Sequence, residues 1–404
     1  MAELSHRPQA RRSILAWAAA GLCALALGGC EFVPRPQVEY PAEQAPPPAE
    51  EPPPQAEEPP PSSLPADETR NRVAVLVPLT GANAGVGRSI ANAANLALLD
   101  TGGERIRITV YDTAKSGAAA AANDALTEGN GLILGPLLAD DVRAVAPIAR
   151  KAKVPVISFS NDVSVAGNGV YLMGFTPGQS ISRVVDHARA QGAERFGALT
   201  PAGVYGRRAS QAMIEAVEQA RGARLVGMQI FEGGAGGLRP AISQLNGQGS
   251  YDAILIGDSG RVAAAAAPIL RAGAAASPRL LGTELWSTED GLGRTAAMRG
   301  AWYASVSDTM FNQLRGRYRT RFGANPYRLA SLGYDAVLLA VRIGKDWRIG
   351  RPFPEGDLRD RGGFAGVDGA FRFTSGGVAE RSLEVREVTA AGTIVVSPAP
   401  RDFD

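Results

Sequence analysis

The stretch RVAVLVPLTGANAGVGRSIANAANLALLD, residues 72–100, decides how the rest of the chain reads. Val73–Val77 is an unbroken apolar run, the pattern of a strand buried on both faces in a parallel sheet. Ile90, Ala94, Ala97 and Leu98 then fall at i, i+4, i+7 and i+8, which gives one apolar face to a helix over 89–99. Between them, Pro78–Gly87 is a loop of small residues at the carboxyl end of the strand, where open α/β sheets bind ligands.

The same unit recurs downstream. Further strands are expected at Ile106–Tyr111, Leu132–Leu134 and Val154–Phe159, with helices at Ala118–Glu128 and Ala139–Ala152. Alternation at this spacing implies βαβ crossovers and a parallel sheet. After a strand at Val170–Phe175 the pattern restarts, with helices at Gln179–Gln191, Tyr205–Ala220, Leu238–Asn246 and Arg261–Ala272. The strands between them are Phe196–Leu199, Arg224–Phe231, Ala253–Ile256 and Arg279–Gly282. Two α/β halves of domain size result. The remainder differs: a strand at Ala301–Val306 and helices at Thr309–Phe322 and Arg328–Trp347 come first. Gly366–Phe373 and Arg381–Val388 then read as a β-hairpin turning at Gly376 and Gly377.

Ahead of these halves lie two segments of other composition. In residues 1–30, Arg11 and Arg12 precede an apolar run from Ile14 to Leu27, then Gly28, Gly29 and Cys30. The run has signal-peptide length and is too short to span a bilayer. Leu27–Cys30 resembles a bacterial lipobox, in which Cys30 is lipidated and begins the mature chain; the alternative is ordinary cleavage with Cys30 as an incidental thiol. Cys23 leaves with the signal, so no disulfide or cysteine metal site is expected. Residues 31–70 hold 13 prolines and nine acidic residues against two arginines, a composition that forms no core and reads as a disordered tether. At about 3.1 Å per residue its reach approaches roughly 120 Å. The 404-residue chain is 45% apolar and 20% charged with net charge +2, which gives no sign of a nucleic-acid partner.

Three segments carry a family likeness: Val73–Leu98, then GLILGPLLADDVRAVAPIARKAKVPVISFSN (131–161), then Tyr205–Arg207 with SLGYDAVLLA (331–340) and GFAGVDGAFRF (363–373). Together they resemble the leucine/isoleucine/valine-binding type of periplasmic binding proteins. The resemblance implies a two-lobed type I periplasmic-binding fold, with parallel sheets flanked by helices and three crossings between lobes near Phe175, Val306 and Gly362–Phe373. It places lobe 1 at 71–176 plus 306–370 and lobe 2 at 177–305 plus 371–404. Within it the lipoprotein subgroup of penicillin-binding protein activators is similar in its tether and in the 363–373 segment. That resemblance implies a non-enzymatic envelope lipoprotein at the outer membrane, regulating peptidoglycan synthesis through a ligand or a synthase partner. The competing reading is the substrate-binding subunit of an ABC importer for amino acids or related solutes.

The strand-end loops supply the candidate site. On lobe 1 these are Thr80, Gly81, Asn83 and Gly85, then Leu138–Asp141 with Ala139 and Asp140, then Ser160, Asn161 and Asp162. Such loops present backbone N–H groups, helix N-termini and short polar side chains to a crevice; the alternative is that Thr80, Ser160 and Asn161 only cap turns. On lobe 2 the candidates are Tyr205, Asp258 and Glu284. The resemblance implies that Glu284 meets a ligand ammonium; otherwise it is a solvated loop carboxylate. Relatives hold a ligand carboxylate with hydroxyl side chains in the second loop. Leu138, Ala139, Asp140 and Asp141 offer none, and two aspartates repel a carboxylate, which argues against a free α-amino acid.

Several motifs fall short. Ala82–Ser89 lacks the first P-loop glycine and has Arg88 in place of lysine. Gly257–Gly260 carries a serine without a base, since the mature chain keeps one histidine, His187, on a helix. No metal or cofactor constellation is present in the sequence, and no enzymatic activity is expected.

Overall fold

The computed structural model describes residues 69–400, other than 233 and 274–276, together with residue 403. The signal segment, Cys30 and nearly all of the tether lie outside the described residues.

The chain opens with β1 (Asn71–Val77), α1 (Ala84–Thr101), β2 (Ile106–Asp112), α2 (Ala118–Thr127), β3 (Leu132–Leu134), α3 (Ala139–Lys151), β4 (Val156–Ser158) and β5 (Val170–Leu172). These strands form one parallel sheet in the order β2-β1-β3-β4-β5. Val73–Val77 is fully buried because helices cover both faces of the sheet. Each buried Val or Leu of this run stabilises the fold by about 1.5–3 kcal/mol.

The second lobe repeats the plan with α4 (Pro177–Ala190), β6 (Arg195–Pro201), α5 (Val204–Gln219), β7 (Arg224–Phe231), α6 (Leu238–Gln248), β8 (Ala253–Ile256), α7 (Gly260–Gly273), β9 (Arg279–Gly282) and β10 (Trp302–Ser305). The parallel part of its sheet runs β7-β6-β8-β9-β10, the order of the first sheet over again. A local detail repeats as well. A Cβ on Gly87, in the first turns of α1, would stand 1.8 Å from the Pro78 carbonyl oxygen; one on Gly206, in the first turn of α5, would stand 1.6 Å from that of Pro201. In each lobe a glycine therefore lets the helix start pack directly on the end of the strand before it.

The chain then returns to lobe 1 as α8 (Thr309–Phe322), α9 (Ala330–Gly344) and a small antiparallel sheet of β11 (Phe364–Gly366), β12 (Gly369–Phe373) and β13 (Ala379–Arg381). Phe371, Phe373 and Ala379 pack in the first lobe's core, so the third crossing follows Arg381 rather than lying at 362–373, and lobe 1 extends beyond residue 370. The hairpin is correspondingly shorter than the sequence pattern implied. β12 pairs with β13, whereas β14 (Glu384–Thr389) joins the second lobe antiparallel to β10. A further strand, β15 (Gly392–Ser397), follows it at the sheet edge. Alternation marks strands but does not say which sheet receives them.

The crossings are tied by buried charge. Arg381 Nη2 donates to the Met173 carbonyl at 2.7 Å, and Arg328 Nη1 meets Asp368 Oδ1 at 2.6 Å. The Phe175 ring lies 5.0 Å from the Arg381 guanidinium and 5.7 Å from that of Arg328. Asp335, fully buried on α9, accepts from Val367 N at 2.7 Å. Burial first, and the neighbouring Asp368 second, push its carboxyl up to about 7.

Candidate ligand-binding site

Where β1 borders β3, and again where β6 borders β8, successive connections leave the sheet in opposite directions. These switch points open crevices at the carboxyl ends of the strands. The predicted residues all sit on loops or helix starts at those ends.

On lobe 1 the first loop is held by Asp112, whose carboxylate accepts from Leu79 N at 2.8 Å, Thr80 Oγ1 at 2.8 Å and Ala114 N at 2.9 Å. Desolvation raises this carboxyl, but those hydrogen bonds outweigh it and keep it below its ordinary value. Thr80 therefore spends its proton inside the loop and has only lone pairs left for a ligand. Asn83 is exposed and does not cap α1 through its side chain.

In the second loop Ala139 and Asp140 begin α3. Asp140 has a side chain 96% exposed and pairs with Arg143 at 2.7 Å. Burial raises the Asp141 carboxyl. Two carboxylates in a first helical turn suit the positive end of the helix dipole, so their placement follows from α3 itself.

The third loop is a chain of turns. Ser160 is buried; its hydroxyl accepts from Asp162 N at 3.1 Å, and its N–H donates to Ser158 Oγ at 3.0 Å. It shapes the loop, while Asn161 is the exposed member. Asp162, itself buried, accepts from Ser164 N at 2.9 Å and Arg143 Nη2 at 2.8 Å, and pairs with Arg208 from α5 of the other lobe. Burial acts against its charge, yet Ser164 and Arg208 prevail and hold its carboxyl at about 2.

Lobe 2 brings Tyr205 and Glu284 together and sets Asp258 close to them. The Tyr205 hydroxyl lies 3.0 Å from Thr283 Oγ1 and 3.1 Å from Glu284 Oε1, and Ser180 Oγ donates to Glu284 Oε2. Burial raises the Glu284 carboxyl, opposed by the Ser180 and Tyr205 hydrogen bonds. Burial also raises the Tyr205 phenol, with the Glu284 charge adding to it and Asp258 contributing. Asp258 Oδ1 accepts from Ser259 N, and its carbonyl takes Trp286 Nε1 at 3.0 Å. Nothing in the sequence pattern marks Ser180, Thr283 or Arg208 as part of this lining. Ser180 lies 104 residues from Glu284, and no spacing signals that contact.

The chemistry of this lining is acceptance and charge, not bond making. No group of three His, Cys, Asp or Glu side chains disposed for a metal occurs among the described residues.

The sequence model of the periplasmic binding protein family matches residues 71–393, and the chain belongs to that family. The family is periplasmic and binds ligands without enzymatic chemistry. Among solved structures, an ABC transporter substrate-binding protein from Sphaerobacter thermophilus superposes with a TM-score of 0.66 at 20% identity, covering 83% of this chain and 99% of its own. A leucine binding protein from Thermotoga maritima gives 0.59 at 22% identity, covering 81% and 98%. A Rhodopseudomonas palustris solute binding protein in complex with benzoate gives 0.58 at 18%, covering 83% and 98%. These likenesses show the fold. An uncharacterized protein of Rickettsia prowazekii is 27% identical over 142 residues, 35% of this chain and 38% of that protein. The chain thus spans under two thirds of this curated relative.

Proposed function

We propose that this protein is the solute-binding component of an ABC-type importer, capturing a small ligand between its lobes through a cationic group set against Glu284. The observation that carries the reading is the Glu284 carboxylate itself, set at the end of β9 among the hydroxyls of Ser180, Tyr205 and Thr283. A partly enclosed carboxylate that already takes two neutral donors gains most from a positive partner. On the first lobe, the loop at 138–141 offers no side-chain hydroxyl, and its aspartates disfavour a ligand carboxylate. A thermal-shift screen of amines, amino acids, short peptides and muropeptides tests this. A ligand at 100 times its Kd stabilises by about 2.7 kcal/mol. A shift with a cationic solute supports the reading, and silence across the whole panel overturns it.

A second reading, the penicillin-binding protein activator kind of envelope lipoprotein acting on peptidoglycan synthesis, is favoured by the lipobox at Cys30, the proline-rich segment and the altered loop at 138–141. Neighbouring genes for a permease and an ATPase favour the importer. Co-purification with a peptidoglycan synthase, with no thermal shift from any solute, favours the regulator.

A further inference from the structure

Strand edges expose unpaired N–H and C=O groups, and folded proteins guard them with charge, shortness or a covering segment. Two of the four outer strands of the two large sheets, β2 and β5, are guarded in this way, and β7 carries a single charge at its start. β2 carries Arg107 and Asp112, and β7 begins at Arg224. β5 is three residues long and is bridged by the 377–378 turn, where Leu172 N donates to the Gly377 carbonyl at 2.7 Å.

The fourth edge has none of these devices. β15 reads GTIVVS, with Ile394 52% exposed, Val395 50% and Val396 37%. Side chains alternate across a strand, so these three exposures put apolar surface on both of its faces. No charged residue occurs between Glu387 and Arg401. One side of the strand pairs with β14, and no described strand lies on the other. The described residues after it run elsewhere: Arg183 ties Ser397 Oγ and the Pro398 carbonyl, and Phe403 packs under Arg372 of β12, 4.9 Å from its guanidinium.

We propose that β15 pairs antiparallel with β15 of a second copy of this chain, joining two seven-stranded sheets across a two-fold axis. An uncharged strand meets its own image without like-charge repulsion, which is what an isologous contact requires. A two-fold through Val395 sets Ile394 opposite Val396 and Thr393 opposite Ser397, β-branched against β-branched at the centre. The whole-chain charge of +2 adds little long-range repulsion. The apolar contact is three side chains per copy, well short of the about 1,200 Å² that stable complexes bury, so the association is weak and concentration-dependent. This inference does not rest on the ligand reading.

Sedimentation equilibrium of the full chain in detergent, over a concentration series, tests it. The expected result is a monomer–dimer equilibrium in which Val395→Lys, or independently Ile394→Lys, returns the mass to that of one chain with an unchanged circular dichroism spectrum. Ile230→Lys on the opposite sheet edge, at a side chain 58% exposed, should leave the dimer intact. A wild-type chain that stays monomeric throughout, or a dimer that survives both lysine variants, or one that Ile230→Lys dissolves, overturns the proposal.

Discussion

Arg208 on α5 of the second lobe is ion-paired with Asp162 on a strand-end loop of the first, and Arg143 holds the same carboxylate from the first lobe's side. Asp162 is thus the point where one lobe grips the other across the crevice. Burial opposes its charge, but the Ser164 hydrogen bonds and the Arg208 guanidinium keep it ionised down to about pH 2, so the grip is constant over the neutral range.

Removing Arg208 should loosen the lobes more than it harms the fold. In Arg208→Ala, Asp162 retains Arg143 and Ser164, and the loss in stability should be about 1.5–3 kcal/mol. Small-angle scattering should show a larger radius of gyration, equally at pH 5 and pH 8. An unchanged radius would mean that the crossings alone set the lobe angle.

Glu284→Gln keeps an acceptor for Ser180 and Tyr205 but removes the charge. A charge-assisted hydrogen bond contributes about 1.5–3 kcal/mol, so affinity for a cationic ligand should fall about 10- to 100-fold by calorimetry, with little change in the melting point of the free protein. Equal affinity in the variant would remove Glu284 from the site.

Asp335 gives a pH dependence of definite sign. Its carboxyl stands at about 7 when folded, above its unfolded value near 4. The folded state therefore binds the extra proton between those limits. The stabilisation is fully present below about pH 4 and is lost as pH rises through about 7. Burial raises Glu284 in the same direction. Denaturant titrations of Asp335→Asn should show a flatter profile than wild type between pH 4 and 7, with Asp368, Arg328 and Arg381 unchanged around it. An identical slope would assign the effect elsewhere.

The glycines make opposite predictions. Gly206→Ala drives a methyl group into the Pro201 carbonyl and should cost about 3 kcal/mol, displacing Tyr205 with it. Gly316, inside α8, has nothing within 4 Å of an added Cβ, so Gly316→Ala should stabilise by about 0.5–1 kcal/mol. Thermal melts of the pair separate steric from entropic effects.

Lipidation at Cys30 is an expectation from the sequence with its own test. Cys30→Ala is expected to move the protein from the membrane fraction to the soluble fraction on cell fractionation; an unaltered distribution would end the lipoprotein reading.

What could be read from the chain alone was whatever depends on neighbours in sequence. Val73–Val77 and Ala253–Ile256 announce buried parallel strands because a strand covered on both faces needs an unbroken apolar run. The repetition of that unit foretold two α/β halves, and the strand-end position of Thr80, Tyr205 and Glu284 followed from the element order. Tertiary structure alone decided which of these polar groups meet. Ser180 reaches Glu284 within the second lobe and Thr80 turns inward to Asp112 within the first because the strand order sets which strand ends are neighbours, and Arg208 reaches Asp162 because the crossings bring the two lobes together; no local period encodes either. It also sent Glu384–Thr389 to the second sheet and left Gly392–Ser397 bare at its edge, since strand partnership is a matter of long-range register, not of propensity.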